Sequence, residues 1–531
     1  MTVNKKLQVW LPLMFALVMI GGMFLGYKLN DRGGNNKGFF STNSRSSLQE
    51  ALDLIKMRYV DSVGIDTLEG RAIQEMMSEL DPHSVYLPPV ELKEANEDLA
   101  GNFQGIGVEF NVFNDTVNVV YVIPNGPSDK ARLKIGDKII AVNDSLLTGR
   151  TFSIDEIKNF IRGKGGSKAE LKVLRGNKVI QIAVVRGTIP VPSIDAAYMI
   201  DGVTGYIKLI KFTDNSYEEF MQSMEALQKQ GMKSLVYDLR GNGGGFMNEA
   251  VEMADEFLDG DKLIVYTEGV NSKKREYKCR RPGLFETGKL VILVDELSAS
   301  ASEVLAGALQ DWCRAKIIGR RTFGKGLVQE QYSLSDGSAI RLTVARYYTP
   351  LGRSIQRSYE KGKKVYMDEL WERFSSGEMI NADSIKKHNG KLFLTSCRDT
   401  VYGSDGITPN VFVPIDTSRY RQTYTRLIGN GNLSNVVYNY YLQNPALLDQ
   451  YKNSGEYTTR FNNDPGLWNT LLQYTAKDSI NFNLANPQEK EIIQLRLKAL
   501  LARYKWRNSG FYQVLNHNDH AVNKALEYIR Q

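Results

Sequence analysis

Three hydroxyls and one amine mark the part of this chain where covalent chemistry is feasible. Residues 290–329 read LVILVDELSASASEVLAGALQDWCRAKIIGRRTFGKGLVQ. Ser298, Ser300 and Ser302 lie between an apolar run ending at Val294 and a segment with Val304, Leu305, Ala308, Leu309 and Trp312 at helical spacing, so they fall on a strand-to-helix turn. Ser300 and Glu303 fit the S-x-x-E capping box. That places the Ser300 hydroxyl at a helix start, where backbone N–H groups and the dipole favour developing negative charge. Lys325 follows within Gly324-Lys-Gly326, after the apolar run 315–319, with Gln329 four positions on. A lysine acts as a general base once burial and neighbours bring its pKa down from about 10.4 toward neutrality. Gln329 can hold the amine without adding charge, whereas a carboxylate there would favour the ammonium form.

The usual base, histidine, is poorly placed. Of four histidines, His83 belongs to a helical segment well upstream, and His388, His517 and His520 lie in an irregular stretch or in the tail. His83, in Asp81-Pro-His-Ser84, reads as a hydrogen-bonded turn residue. His517 and His520 are three apart without a matching cysteine or carboxylate set, so no metal site and no cofactor is expected. Upstream, Asp238-Leu-Arg-Gly-Asn-Gly-Gly-Gly245 is a glycine-rich turn between a strand and a helix. It lacks the spacing of a phosphate loop or a dinucleotide site, and its backbone N–H groups suit an oxyanion hole.

The elements that must position these residues follow from the rest of the chain. With 531 residues, two to four domains are expected. A net charge of +7 and 24% charged residues give no support to nucleic-acid binding. Three cysteines, Cys279, Cys313 and Cys397, allow one bridge at most, and spacing does not choose it. Residues 9–27 are uncharged, follow Lys5 and Lys6 and lack a small-residue cleavage site. They read as an uncleaved single-pass anchor in the inner membrane, with residues 1–27 comprising cytosolic stub and anchor and the body in the periplasm or extracytoplasmic space. A Gly/Asn/Ser-rich linker occupies 28–47, and a helical segment 48–100. A small strand-rich unit follows at 101–188, then alternating strands and helices of an α/β core at 189–420, with a charged, irregular insertion at about 361–399 that carries no legible chemistry. A helical extension closes the chain at 421–531.

The order of elements in 101–188 resembles a PDZ domain, with Gly105-Ile106-Gly107-Val108 at the position of the carboxylate-binding loop. Ser298-Ala-Ser-Ala-Ser-Glu303, Thr322-Phe-Gly-Lys-Gly-Leu-Val-Gln329, Leu80-Asp-Pro-His-Ser84, Tyr348-Thr-Pro350 and Gly406-Ile-Thr-Pro409 stand in the order of the carboxy-terminal processing peptidases, the tail-specific proteases, which the chain resembles over about 48–414. The resemblance implies a crotonase-like ββα protease core with an inserted PDZ domain. It implies Ser300 as nucleophile, Lys325 as general base and Gln329 as the residue orienting that lysine. Oxyanion donors fall on the backbone of Ala301 and of Gly244 or Gly245, and Arg162 becomes the link between PDZ domain and active site. One departure is Gly243, where the family usually has proline. The implied activity is endoproteolysis near the C-termini of proteins or peptides, with a PDZ domain that receives the C-terminus and gates the site. Substrates with accessible C-termini are the expected partners, beside the membrane; a homo-oligomer or an adaptor protein stays open. The competing readings are an inert PDZ-type peptide-binding scaffold and a core that binds a small apolar ligand.

Overall fold

The computed structural model describes residues 10, 12, 14–23, 46–113, 115–148, 152–384, 390–417, 422–462, 464–476 and 487–531. They form two units, 1–73 and 74–531. In the first, helix Ser47–Arg58 is opened by Ser46, whose hydroxyl accepts the Gln49 N–H at 3.2 Å. The expected linker 28–47 lies almost wholly outside the described residues.

The expected membrane anchor is corrected. Among the described residues no helix is long and apolar enough to cross a membrane. Of the stretch 9–27, residues 9, 11, 13 and 24–27 lie outside the described residues. The inner-membrane location inferred from that anchor falls with it.

In the second unit, one six-stranded sheet carries the candidate site, in the order Ile194–Met199, Thr204–Leu209, Ser234–Asp238, Lys289–Val294, Lys316–Gly319, Val411–Phe412. The first pair is antiparallel and the remainder are parallel. A parallel sheet needs cover on both faces, which is why Leu290 to Val294 is an unbroken apolar run, buried throughout. Leu290, Ile292 and Val294 join one core with Val304, Leu305, Ala308 and Leu309 of helix Ala301–Asp311. Val291 and Leu293 join another with Ala521, Val522, Ala525 and Leu526 of the last helix, His520–Arg530. The C-terminal extension thus supplies the second cover of the sheet. Asp519 anchors it, accepting the Ala521 and Val522 N–H groups at 3.0 Å and pairing at 2.9 Å with Arg240, which also holds buried Asp238 at 2.7 Å.

A second sheet joins Val85–Leu87, Ala339–Tyr348, Leu263–Glu268 and Arg275–Lys278, with Leu327–Ser333 pairing on Ala339–Tyr348. The strand-rich unit folds separately around Val119, Ile139, Ile157, Leu171 and Val173. Its strand Val108–Phe113 ends a sheet, leaving one edge unpaired among the described residues. The extension grips this unit as well: Arg503 lies 3.0 Å from Glu109, and Arg507, at a helix break with φ 52°, pairs with Glu109 and stacks 3.4 Å from the Tyr121 ring.

The insertion contains helix Lys363–Ser375 and a hairpin of Leu392–Leu394 with Thr400–Tyr402; His388 lies outside the described residues. Cys397, in the hairpin's turn, is bonded to Cys313 just past helix Ala301–Asp311, with Cα atoms 6.1 Å apart. Cys279 is a buried free thiol. The bridge closes a loop of 84 positions, which by loop entropy is worth about 4.5 kcal/mol. Reduction, or Cys313→Ser with Cys397→Ser, is expected to lower stability by that order in denaturant titration. An unchanged midpoint would argue against the bridge.

Candidate active site

The turn after Val294 is built so that one serine remains available. Ser298 is fully buried; its hydroxyl accepts the Asp295 N–H and donates to the Leu239 carbonyl, both at 2.9 Å. Ser302, also fully buried, donates to the Asn242 carbonyl at 2.9 Å. Ser300 stands between them, half-buried, with φ 56° and ψ −114°. A left-handed φ on a residue with a side chain costs about 1–3 kcal/mol and persists only where surroundings enforce it.

The enforcement comes from Glu303, whose charge the capping-box motif placed at the helix start but whose reach the sequence did not reveal. Its Oε1 accepts from Thr322 Oγ1 at 2.5 Å and the Gly324 N–H at 2.7 Å, and its Oε2 from the Ser300 N–H at 2.8 Å and the Lys325 N–H at 2.9 Å. One carboxylate oxygen therefore ties the backbones of Ser300 and Lys325 together. In return, the Glu303 N–H donates to the Ser300 carbonyl at 2.8 Å, so the backbone closes the capping box. Tyr347 adds a second tie, its hydroxyl donating to the Ser300 carbonyl at 3.0 Å and also to the Lys325 carbonyl.

Lys325 sits on a tight loop. A Cβ at Gly324, where φ is 87°, would lie 3.1 Å from the Gly406 nitrogen, so the loop requires glycine there. Burial lowers the pKa of the Lys325 amine, the charge of Arg341 lowers it further, and Glu303 and Asp81 oppose the shift. Gln329 donates through Nε2 to Thr343 Oγ1 at 3.3 Å, the side-chain bond it makes here. Ser300 and Lys325 meet through Glu303 and Tyr347; no hydrogen bond joins their side chains.

The glycine turn abuts Ser300: a Cβ on Gly244 would come within 2.8 Å of the Ser300 Cβ and 3.1 Å of the Ala301 nitrogen. The Gly244 N–H, however, donates to Asn242 Oδ1 at 2.9 Å. At Gly245 a Cβ would strike the Phe212 carbonyl oxygen, so both positions demand glycine. Gly105, Ile106, Gly107 and Val108 run from a strand paired with Gly187–Pro190 into the edge strand, with Ile106 buried and Gly107 at φ 77°. Arg162 caps helix Ile154–Ile161 and turns toward helix Pro89–Ala100, 3.6 Å from Glu97 and stacked 4.5 Å from the Phe103 ring.

His83 proves more than a turn residue. Asp81 Oδ1 accepts the His83 and Ser84 N–H groups at 2.8 and 2.9 Å, and His83 Nε2 lies 2.9 Å from the Tyr366 hydroxyl on the insertion helix. Burial and the nearby Lys325 charge depress its pKa to about 3, so the ring is neutral. The insertion itself has a job: Arg373 donates to the Arg321 and Thr322 carbonyls at 2.6 and 3.1 Å, and Tyr366 stacks 3.9 Å from Arg357, which pairs with Glu369 at 3.1 Å. The sequence reading missed this helix; the spacing of four between Glu369 and Arg373 is the signal that could have marked it. Among the described residues no cluster could hold a metal ion.

Removing the carboxylate orphans four donors, two of them fully buried. Glu303→Ala is expected to destabilise the fold by about 3 kcal/mol and to speed amide exchange at Ser300, Gly324 and Lys325. Wild-type protection at those amides would contradict the role assigned to Glu303.

Comparison with known proteins bears on the whole arrangement. Peptidase family S41 matches residues 203–362, a PDZ domain residues 104–185, and a family of unknown function residues 423–507. The carboxy-terminal processing protease CtpA of Bacillus subtilis is 33% identical over 342 residues, covering 64% of this chain and 72% of the relative. A probable CtpA-like serine protease of Staphylococcus epidermidis is 36% identical over 56% of this chain, and the match spans 60% of that relative's length. Among solved structures, the photosystem II D1 C-terminal processing protease is 26% identical, covering 69% of this chain and 86% of its own, with a TM-score of 0.34. With a PDZ domain set before the S41 core and relatives of this kind, the chain belongs to peptidase family S41, the family of carboxy-terminal processing proteases.

Proposed function

We propose that this chain is a serine endopeptidase that cleaves proteins or peptides near their C-termini, on a core of crotonase-like ββα arrangement. Ser300 is the nucleophile, Lys325 takes its proton, and Gln329 orients the amine. The observation that carries this reading is the shared Glu303 oxygen, which pins the Ser300 and Lys325 backbones while both neighbouring serines have their hydroxyls committed to backbone groups. A serine set at a strained helix start, with a buried amine on the adjacent loop, is what lysine-assisted acyl transfer requires.

The chemistry follows from the positions. A neutral Lys325 amine accepts the Ser300 proton as Oγ attacks the scissile carbonyl, and the resulting oxyanion is met by the Ala301 N–H and a glycine N–H of the 243–245 turn. Because the Gly244 N–H already serves Asn242, substrate either displaces that bond or uses the Gly245 N–H. The Ser300–Lys325 hydrogen bond must likewise form at about 2.6–3.2 Å on binding, a tightening common when a catalytic site fills. The described arrangement therefore suits a resting site. The PDZ domain would take the substrate's C-terminus along the unpaired edge of Val108–Phe113, its carboxylate at Gly105 to Val108, and Arg162 would report that event through Glu97 to helix Pro89–Ala100, which joins strand Val85–Leu87 to the PDZ domain.

Ser300→Ala and Lys325→Ala are each expected to lower cleavage of a C-terminally unblocked peptide by at least about 10³-fold while leaving peptide binding and the fold intact. Retained cleavage would overturn the assignment, and peptide binding without cleavage in the unaltered protein would favour the inert-scaffold reading. Because the base must be neutral, the rate is expected to fall as pH drops below the lowered lysine pKa; a flat profile into acid would exclude Lys325 as base.

A further inference from the structure

One face of the insertion helix is turned to the loop that carries Lys325. Tyr366, Glu369 and Arg373 stand three and four positions apart on Lys363–Ser375, so they share that face. Arg373 donates to the Arg321 and Thr322 carbonyls, at the start of the loop. Glu369 and Tyr366 act on a single cation, Arg357, which is 1% exposed: Glu369 pairs with it at 3.1 Å, and the Tyr366 ring lies 3.9 Å from its guanidinium. The Phe323 ring lies 4.1 Å from the same guanidinium. The two rings are inclined at 75° with centroids 5.9 Å apart, so they make a corner in which the cation sits.

Phe323 stands two residues before Lys325, and the residues flanking the lysine are held from the same place. The Arg357 N–H donates to the Gly324 carbonyl at 3.1 Å, and Gln356 Oε1 accepts the Gly326 N–H at 2.7 Å. The approach is close, since a Cβ on Gly326 would lie 2.9 Å from the Gln356 nitrogen. The Tyr366 hydroxyl meets His83 Nε2 at 2.9 Å and Gln356 Nε2 at 3.4 Å. A buried guanidinium needs a counter-charge and polarisable cover, and here both come from one face of one helix. Without that face, Arg357 has reason to turn toward water and to carry with it the backbone that holds Gly324 and Gly326. The S41 match ends at residue 362 and the helix begins at Lys363, so this support reaches the loop from beyond the matched core.

We propose that Tyr366 and Glu369 are positioning residues for the base: by holding Arg357 in the corner against Phe323, they fix the loop that presents the Lys325 amine to Ser300. This deepens the proposed function and rests on Lys325 serving as base. Glu303 sets the loop from the side of the nucleophile, and the insertion helix sets it from the opposite partner.

The test combines cleavage kinetics of the full chain on a C-terminally unblocked peptide with amide exchange in the full chain carrying Ser300→Ala to prevent autolysis. Tyr366→Leu is expected to lower kcat per folded molecule by roughly tenfold or more, as a displaced base does, with KM unchanged, and to speed exchange at Gly326. Tyr366→Phe, which keeps the ring and loses only the hydroxyl, is expected to restore most of kcat. A merely structural role would lower the folded fraction and leave kcat per folded molecule as it was. Wild-type kcat in Tyr366→Leu overturns the proposal, with or without faster exchange at Gly326, and so does a Tyr366→Phe as slow as Tyr366→Leu. Should Tyr366→Leu fail to fold, Glu369→Gln loosens the same guanidinium more gently, and an unchanged kcat there overturns the proposal instead. Failure of the underlying reading is separate, because it would appear as cleavage surviving Lys325→Ala in otherwise unaltered protein.

Discussion

The arrangement hangs on a buried carboxylate that forms no ion pair among the described residues. Glu303 is solvated by four protein donors, three of them backbone N–H groups, on two loops far apart in sequence. Burial lifts its pKa from 4.5 to about 7 against the pull of those donors. The folded-state value lies above the unfolded one, so its contribution to stability is greatest in acid and is lost as pH rises from 4.5 toward 7. Ionising it fully, above that value, therefore costs the fold about 3 kcal/mol. That cost is tolerable because the ionised form alone can accept all four bonds, and those bonds hold Ser300 in its strained backbone and bring the Lys325 loop against it.

Much of the remaining structure can be understood as support for that one contact. Helix Ala301–Asp311 is buried along its whole length, so Glu303 cannot escape to water. The sheet beneath it is covered from behind by the last helix. The loop carrying Lys325 is pinned from the other side by Arg373 of the insertion, and the disulfide joins that insertion to the end of the same helix. Arg240, at the start of the glycine turn, is tied to Asp519 of the tail. Segments that read as appendages in the sequence thus converge on the turn that holds Ser300.

What was legible followed from short-range physics. The apolar run before Asp295, the helical spacing after Ser300 and the glycines around Lys325 are written in local pattern, and strand Lys289–Val294 and helix Ala301–Asp311 stand where that pattern put them, whereas the PDZ domain was legible through resemblance in the order of its elements. The reach of Glu303 was hidden because its partners Thr322, Gly324 and Lys325 lie about twenty positions away, a separation no periodicity encodes. The insertion read as irregular because Arg373 and Tyr366 serve backbone carbonyls and a histidine rather than an apolar face. The expected membrane anchor rested on the absence of charge along 9–27 alone, and among the described residues no helix is long and apolar enough to cross a membrane. Which cysteines pair depended on a fold in which position 397 returns to position 313.

The most direct measurement is a crystal structure of the chain with a peptide boronic acid bound. The expected result is a covalent bond from Ser300 Oγ to boron, the Lys325 amine within hydrogen-bond reach of that oxygen, and Glu303 still accepting from both backbones. A boronate on another residue, or one on Ser300 with the Lys325 amine turned away, would contradict it.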